Sequence, residues 1–301
     1  MNPYYREYSQ YLKELFGCKV QKLSVDMAFS CPNRDGSLGT GGCIYCNNDA
    51  FSPDLEKRGT PVAEQIARGK VFFGRKYPEM KYLAYFQSYT STYGESGRLL
   101  DYYRSALAED VVGILIGTRP DCIPDELIAG LSALERSHNT KIMIEFGVES
   151  MHDRTLERIN RHHDSSCAID AIERCSAAGF PIGVHLIAGL PGEDENDIFE
   201  TVDRINALPV SSVKFHQLQV LRGTKLAQMH AAGELTDCLS FTPDSYARLC
   251  ARIVKRLRSD IAIDRFVAQA PADMLISPKW GLKNYEFTAL LHKCLESGEP
   301  Y

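Results

Sequence analysis

Six strand-like segments alternate with helix-like ones, and this alternation constrains the fold more than any other feature. The predicted strands are Lys22–Met27, Lys81–Gln87, Val111–Gly117, Lys141–Val148, Ile182–Ala188 and Ser212–Leu218. The predicted helices are Pro61–Tyr77, Ser96–Glu109, Pro124–Ser137, Ser165–Ala178, Glu195–Ala207 and Pro243–Arg258. Strands that alternate with helices form a parallel sheet, which right-handed crossovers curl. Because eight units close a full barrel, six predict an α/β fold with a partial (βα)6 barrel.

The segments that flank the alternation divide the chain into three parts. The 301 residues accommodate one barrel and an appendage, since such barrels take roughly 250 residues. We predict an N-terminal extension at 1–20, the barrel at 21–225 and a helical or irregular C-terminal extension at 226–301 that caps or closes it. Thr60 and Thr242 each precede a proline, which predicts a helix N-cap at both positions.

Polar residues occupy one face of several predicted strands. Because strand side chains alternate between faces, Glu145 and Glu149 lie on one face of their strand, and Ile144 and Phe146 lie on the other. The inward faces carry Asp26, Gln87, Arg119, Glu145, Glu149, His185, Lys214 and His216. Burying these groups without a ligand is costly, so we predict an open, polar interior that binds one. The alternative is that several lie on the rim, and Lys214 either contacts substrate or pairs with Glu145.

The net charge and the apolar content of the sequence limit the classes of partner that we expect. A net charge of −5 lacks the basic bias of dedicated nucleic-acid binders, although basic residues cluster at 70–81, 255–258 and 279–283. The longest apolar run, Val111–Gly117, is far shorter than the roughly 20 residues of a membrane span. The polar N-terminus predicts no secretory signal. We therefore expect a cytoplasmic protein, with no membrane partner, whose ten cysteines stay reduced.

Three cysteines crowd the glycine-rich segment after the first predicted strand. Cys31, Cys43 and Cys46 have the spacing C-x11-C-x2-C, which indicates a soft metal. A structural zinc usually takes four ligands, so a zinc site would need a distant fourth residue. A 4Fe-4S cluster held by three cysteines would leave one iron open, which implies chemistry. Tyr45 stands just before the last cysteine, where its ring either supports a flat purine or packs.

The chain resembles radical S-adenosylmethionine (SAM) enzymes of the elongator-like subgroup, most closely the bacterial YhcC/YtqA type. The first gap of eleven residues departs from the superfamily's commonest C-x3-C-x2-C spacing, and the YhcC/YtqA type shares this longer gap. The resemblance rests on FSCPNRDGSLGTGGCIYC (29–46), YLAYFQSYTSTY (82–93), GTRPDCIPD (117–125), ERINRHHD (157–164), HLIAGLPGE (185–193) and VKFHQLQVLRGT (213–224).

The resemblance implies a cofactor site. Cys31, Cys43 and Cys46 would ligate three irons of a 4Fe-4S cluster, and the methionyl group of SAM would chelate the fourth. Reductive cleavage of SAM would yield a 5′-deoxyadenosyl radical that abstracts a substrate hydrogen. The implied SAM contacts are Glu149 at the ribose, Arg161 at the carboxylate, the backbone of Gly189 at the adenine, and Gln87, Ser88 or Thr90 at the amine, where the usual Gly-Gly-Glu is missing.

The resemblance also implies a substrate class. Relatives in the subgroup act on tRNA, so we expect tRNA modification at the C5 side chain of wobble uridine, with His216 and Lys214 contacting the substrate. An electron donor such as flavodoxin or ferredoxin would be a partner. The alternatives are a radical SAM enzyme that acts on a small metabolite or porphyrin, and a non-catalytic zinc-binding adaptor.

Overall fold

A curled sheet of parallel strands forms the centre of the molecule. The computed structural model describes residues 2–47, 59–75 and 79–297. Its strands are β1 (Val20–Val25), β2 (Lys81–Phe86), β3 (Val111–Thr118), β4 (Lys141–Glu149), β5 (Ile182–Ala188), β6 (Ser212–Gln217), β7 (Val220–Leu221), β8 (Ala262–Arg265) and β9 (Leu275–Ser277). Seven of them form the sheet in the order β1-β2-β3-β4-β5-β6-β8, with every pair parallel. The sheet is a half-barrel, and β7 pairs with β9 in a separate antiparallel ribbon.

Helices surround the half-barrel, most of them against its outer face. They are α1 (Tyr8–Phe16), α2 (Val62–Gly74), α3 (Ser96–Ser105), α4 (Asp125–His138), α5 (Asp153–Arg158), α6 (Ser165–Ala177), α7 (Glu195–Asn206), α8 (Lys225–Ala231), α9 (Pro243–Arg256) and α10 (Asn284–Ser297). The main apolar core lies between these helices and the outward-facing strand residues such as Ile142, Ile144 and Phe146. Within the described residues, no helix is long and apolar enough to cross a membrane.

The alternation predicted the six barrel strands within two residues at each end. Thr242 caps α9, with its side chain accepting from the backbone N–H of Ser245. Thr60 does not cap α2, because that helix begins one residue later than predicted, at Val62, after Pro61. Its predicted end at Tyr77 lies outside the described residues.

The C-terminal extension contributes a seventh strand that the sequence did not predict. β8 pairs with β6, so that Ser212 aligns with Ala262 and Lys214 with Arg265. This places β8 at one edge of the half-barrel and β1 at the other. The segment 226–301 therefore lines the barrel as well as flanking it.

Helix α1 closes the amino-terminal end of the half-barrel. Its residues Tyr8, Tyr11 and Leu12 form an apolar cluster with inward-facing residues of β2, β3, β4 and β8. The chain just before α1 also pairs with β8, since the backbone N–H of Ile263 donates to the carbonyl of Arg6 at 2.8 Å. α1 therefore contacts both edge strands of the open sheet, β1 and β8.

Candidate functional site

A cavity of about 1010 Å³ fills the interior of the half-barrel. Strand side chains and the loops after β1, β2, β6 and β8 form its wall. Of the eleven site residues predicted from the sequence, ten line it: Cys31, Cys43, Tyr45, Cys46, Gln87, Thr90, Glu149, Arg161, Lys214 and His216. Gly189 is not among the lining residues. It has φ +90°, and a Cβ there would lie 3.1 Å from the carbonyl oxygen of Leu239, so packing against that segment favours glycine.

The cysteine loop is fastened to the chain that follows α5. The side-chain amide of Asn33 donates to the carbonyl oxygen of Asn160 at 2.5 Å and to Cys43 Sγ at 3.5 Å. The side chain of Asn160 donates back to the carbonyl oxygen of Gly42 at 2.9 Å. These contacts fix the loop, with the thiols of Cys31 and Cys43 buried in the cavity wall.

The spacing of the three thiols favours a cluster over a single ion. Thiolates on one tetrahedral zinc lie roughly 3.8 Å apart, because each Zn–S bond is about 2.3 Å. Within the described residues, the one group of three metal-ligand side chains whose donor atoms all lie within 4.8 Å is His152, Asp197 and Glu200, outside the cavity. The cysteines form no such group. At least one pair of the three sulfurs is therefore more than 4.8 Å apart, farther than two thiolates on one zinc ion.

Burial raises the pKa of the Cys46 thiol to about 12, with a further contribution from neighbouring Cys43. The thiol is therefore protonated at neutral pH when no metal is bound. Metal binding at this loop must displace that proton, as thiolate ligation generally requires.

Arg161 and Glu149 lie beside the cysteine loop. The guanidinium of Arg161 donates to Cys43 Sγ at 3.5 Å and to the carbonyl oxygen of Gly147, and lies 3.6 Å from the Glu149 carboxylate. Arg161 Nε is buried and has no hydrogen-bond partner. Glu149 has φ +68°, unusual for a non-glycine residue, so the chain turns sharply at the end of β4. Both side chains are buried, and a ligand that accepts from Arg161 would satisfy the unpaired Nε.

The end of β2 offers further unpaired polar atoms. The buried hydroxyls of Ser88 and Thr90 line the cavity and have no hydrogen-bond partner. Gln87, just before them, donates to Ser24 Oγ at 3.0 Å. Unpaired buried hydroxyls are costly, so this segment fits a polar ligand group. Tyr45, across the cavity, packs its ring against the apolar cluster that contains Ile44 and Leu190.

A connected set of charged groups lies deeper in the half-barrel. Lys214 Nζ donates to Glu145 Oε1 at 2.8 Å and to the Tyr85 hydroxyl at 3.1 Å. His185 Nε2 lies 2.6 Å from the same carboxylate oxygen, and Tyr85 donates to it as well. Of the two roles considered for Lys214, pairing with Glu145 is the one that the structure shows.

The charged set extends to both edges of the sheet. Asp264 on β8 accepts from Lys22 on β1 at 2.7 Å and lies 3.5 Å from Lys214 Nζ. Burial lowers the pKa of Lys214. Burial also opposes ionisation of Glu145, but Lys214 and His185 outweigh it and hold the pKa of Glu145 well below its ordinary value. The set is therefore ionised at its carboxylates, and Lys214 is fully engaged with protein partners.

His216 faces the cavity beside Arg265. Burial, followed by the charge of Arg265, holds the pKa of His216 well below 6.5, so its imidazole is neutral at physiological pH. Arg265 Nη2 lies 3.4 Å from His216 Nε2. The His185 and His216 rings are 5.5 Å apart between centroids.

Four residues of this charged set, Lys22, Tyr85, Asp264 and Arg265, are neither among the eleven predicted site residues nor among the predicted inward-facing residues. Alternation along β2 puts Tyr85 on the same face as Gln87, so that signal was present in the sequence. Lys22 begins a predicted strand. Asp264 and Arg265 lie in a four-residue strand of the C-terminal extension, where no sequence pattern marked an inward face.

Comparison with known proteins identifies the family. The Radical SAM superfamily model matches residues 36–205, and the Radical_SAM C-terminal domain matches residues 210–297. The chain belongs to the radical SAM superfamily. It is therefore an enzyme of the type that uses a 4Fe-4S cluster and SAM, and the three thiols and unpaired polar atoms of the cavity fit that pair of cofactors.

The relatives place the chain among YhcC-type and elongator-like members of the superfamily. It is 32% identical to YtqA of Bacillus subtilis (strain 168) over 99% of this chain and 91% of YtqA. It is 34% identical to YhcC of Escherichia coli (strain K12) over 89% of this chain and 85% of YhcC. A tRNA uridine(34) acetyltransferase of Methanocaldococcus jannaschii is 22% identical over 62% of this chain and 33% of its own length.

A solved structure of a related protein supports the fold. Elp3 of Methanocaldococcus infernus, with residues 1–46 deleted, superposes with a TM-score of 0.68 and 17% identity. The match covers 93% of this chain and 63% of the Elp3 chain. Almost the whole of this radical SAM protein therefore shares its architecture with about two thirds of the Elp3 chain.

Proposed function

We propose that Cys31, Cys43 and Cys46 hold the 4Fe-4S cluster and that the adjoining wall holds SAM. The bound pair supplies reductive cleavage of SAM to a 5′-deoxyadenosyl radical, which abstracts a hydrogen atom from the substrate. Arg161 would bind the cofactor carboxylate, because its buried Nε is free to donate. Glu149 would accept from the ribose hydroxyls.

The rest of the SAM site completes this proposal. The Thr90 hydroxyl or Gln87 would bind the methionyl amine, and Tyr45 and the backbone of Gly189 would lie near the adenine. Residues 21–225 form the radical SAM domain, with β8 added from the C-terminal extension. The cluster's electron would come from a flavodoxin or ferredoxin, and the ten free cysteines are consistent with a cytoplasmic protein.

The proposed substrate is a tRNA, modified at the C5 side chain of the wobble uridine. The likeness to a tRNA uridine(34) acetyltransferase carries this proposal. A single-stranded anticodon base can be unstacked and inserted into a cavity at modest cost. His216 would contact the inserted base, whereas Lys214 would act by orienting Glu145 and His185, since its donors are already engaged.

The sequence has three groups of basic residues, at 70–81, 255–258 and 279–283. The group at 279–283 lies at the cavity mouth. Gln269 lines the cavity and donates to the carbonyl oxygen of Leu282 at 3.3 Å, so the segment 279–283 adjoins the opening. Lys70 and Lys81 instead pair with Asp110. Lys76 lies outside the described residues. The segment 279–283 is therefore the best candidate for a phosphate contact.

The cluster is tested by metal analysis of anaerobically reconstituted protein. We expect about four irons and four sulfides per chain. Cys31→Ala, Cys43→Ala and Cys46→Ala should each lose the cluster, whereas Cys167→Ala and Cys294→Ala should keep it. Zinc without iron would instead indicate the non-catalytic adaptor.

The substrate is tested by comparing nucleosides of total tRNA from cells with and without the protein. We expect one uridine derivative to lose its C5 modification and regain it when the gene is restored. Identical profiles would reject tRNA as the substrate and leave a small metabolite or porphyrin as the alternative. Purified protein, SAM, dithionite and the unmodified tRNA should then yield the missing nucleoside.

A further inference from the structure

Some positively charged side chains of the cavity wall lie next to a carboxylate that offsets their charge, and others do not. Four have a carboxylate within 4.0 Å, in the pairs Lys22–Asp264, Arg119–Asp121, Arg161–Glu149 and Lys214–Glu145. Arg34 lies in the cysteine loop, where the cysteines would supply negative charge as thiolates once a metal is bound. Arg265 also lines the cavity, but no described carboxylate lies within 4.0 Å of it.

Arg265 is half-buried with a donor unused. Its Nη2 contacts His216, and its Nε is buried with no hydrogen-bond partner. A neutral imidazole accepts one hydrogen bond but does not offset a positive charge. A partly buried charge without a counter-charge is costly, and so is a buried donor without an acceptor. A negatively charged ligand group would relieve both costs.

The contact with Arg265 also determines which nitrogen of His216 carries the proton. A guanidinium only donates hydrogen bonds, so His216 Nε2 must accept. The proton of the neutral ring is then on Nδ1, which becomes a donor. His216 therefore holds the guanidinium of Arg265 through Nε2 without offsetting its charge.

The neighbouring chain holds this pair in place. Arg265 ends β8 and aligns with Lys214 of β6. Three residues later, the backbone N–H of Ala268 donates to Gln217 at 2.8 Å, and its carbonyl oxygen accepts from Gln217 at 3.2 Å and Gln219 at 3.0 Å. The guanidinium therefore extends from a backbone that is fixed on both sides.

We propose that Arg265 and His216 form a subsite for an oxyanion, a carboxylate or phosphate group carried by the substrate. The guanidinium matches the oxygens of such a group, and His216 orients the guanidinium through its Nε2 contact. The subsite selects substrates with a negative group near the reacting position. It rests on the proposed function only in that this cavity is the substrate site.

Calorimetric titration of the cluster-loaded protein, without SAM, tests the subsite. Inorganic phosphate and acetate are titrated separately, which distinguishes a phosphate site from a carboxylate site. Arg265→Gln removes the charge and the fork, and we expect at least a roughly tenfold loss of affinity for whichever anion binds. Arg248→Gln, on the exposed face of α9, removes the same charge outside the cavity and should leave affinity unchanged.

Several outcomes would overturn the subsite. Wild-type protein that binds neither anion saturably, or Arg265→Gln that binds as wild type does, rejects it. If Arg265→Gln fails to fold, Arg265→Lys keeps the charge and loses the fork, and a several-fold loss is expected. Because these titrations use neither SAM nor tRNA, unchanged tRNA nucleosides would reject the tRNA proposal without affecting the subsite.

Discussion

At the scale of single residues, Arg161 links the two halves of the proposed cofactor site. It donates to Cys43 of the cysteine loop and to the end of β4, next to Glu149. Asn160, its neighbour in sequence, fastens the same loop. One short segment after α5 thus positions both the metal ligands and the charged groups beside them.

Replacing Arg161 or Glu149 should weaken SAM binding and spare the cluster. Arg161→Gln and Glu149→Gln each remove a charge-assisted hydrogen bond, worth about 1.5–3 kcal/mol. Equilibrium dialysis of SAM with reconstituted protein measures the loss, with iron content as the control. Wild-type affinity in both variants would show that neither residue contacts SAM.

Glu145 should contribute strongly to stability because Lys214 depends on it. Glu145→Gln removes the carboxylate that lies 2.8 Å from the Lys214 ammonium and leaves it only Asp264, at 3.5 Å, which costs up to about 3–5 kcal/mol. Urea denaturation measures this, and adding Lys214→Met should recover most of the loss. A double variant no more stable than Glu145→Gln alone would contradict the pairing as its cause.

The same pair predicts a pH dependence. The folded pKa of Glu145 lies well below its ordinary value of 4.5, so folding favours the ionised form. Its contribution is therefore full above about pH 4.5 and is lost as the pH falls through the lower, folded pKa. The stability difference between wild type and Glu145→Gln should be constant from about pH 6 to 8 and shrink in acid.

At the scale of elements, the two edge strands of the half-barrel are joined by side chains. Lys22 of β1 reaches Asp264 of β8, and α1 packs below both. Lys22 Nζ also lies 4.7 Å from the centre of the Tyr8 ring. The two edge strands are not paired through their backbones, and these side-chain contacts connect them instead.

Asp264→Asn should loosen this bridge without unfolding the barrel. It removes the counter-charge of Lys22, a charged hydrogen bond worth about 1.5–3 kcal/mol. Hydrogen exchange should quicken in β8 and α1 and stay unchanged in β3 and β4. The control is Asp203→Asn, which breaks an exposed pair with Arg256 and should cost at most about 1 kcal/mol. Uniform acceleration would contradict a local bridge.

Strands whose side chains alternate in polarity could be predicted from the sequence. A strand that forms only by pairing with a strand distant in sequence could not. β4 and β5 have apolar residues at every second position, with Glu145, Glu149 and His185 on the other face, so their ends and these inward residues followed from sequence. β8 has four residues and becomes a strand because β6 offers it an edge. The contact between Arg161 and Cys43 joins residues 118 apart, a proximity that local sequence does not encode.

At the scale of the whole molecule, an acidic chain needs a local basic surface to bind a tRNA. Lys279 and Lys283 are exposed beside the cavity mouth. Reversing both charges should weaken tRNA binding and flatten its dependence on salt by roughly 1.5–2 units of log K against log salt. Arg248→Glu, on the exposed face of α9, should change neither the affinity for tRNA nor its salt dependence. An unaltered slope would place the phosphate contacts elsewhere.

Closure by α1 has a consequence for solvent. The cluster of Tyr8, Tyr11 and Leu12 seals the amino-terminal end, so water reaches the cavity from the cysteine-loop side. Protection of a radical in the cavity from solvent then depends on how completely that mouth is covered. A small metabolite held in the cavity would add no cover to that mouth. The proposed tRNA substrate, with one base inserted, would cover the mouth with its own body and so exclude solvent there.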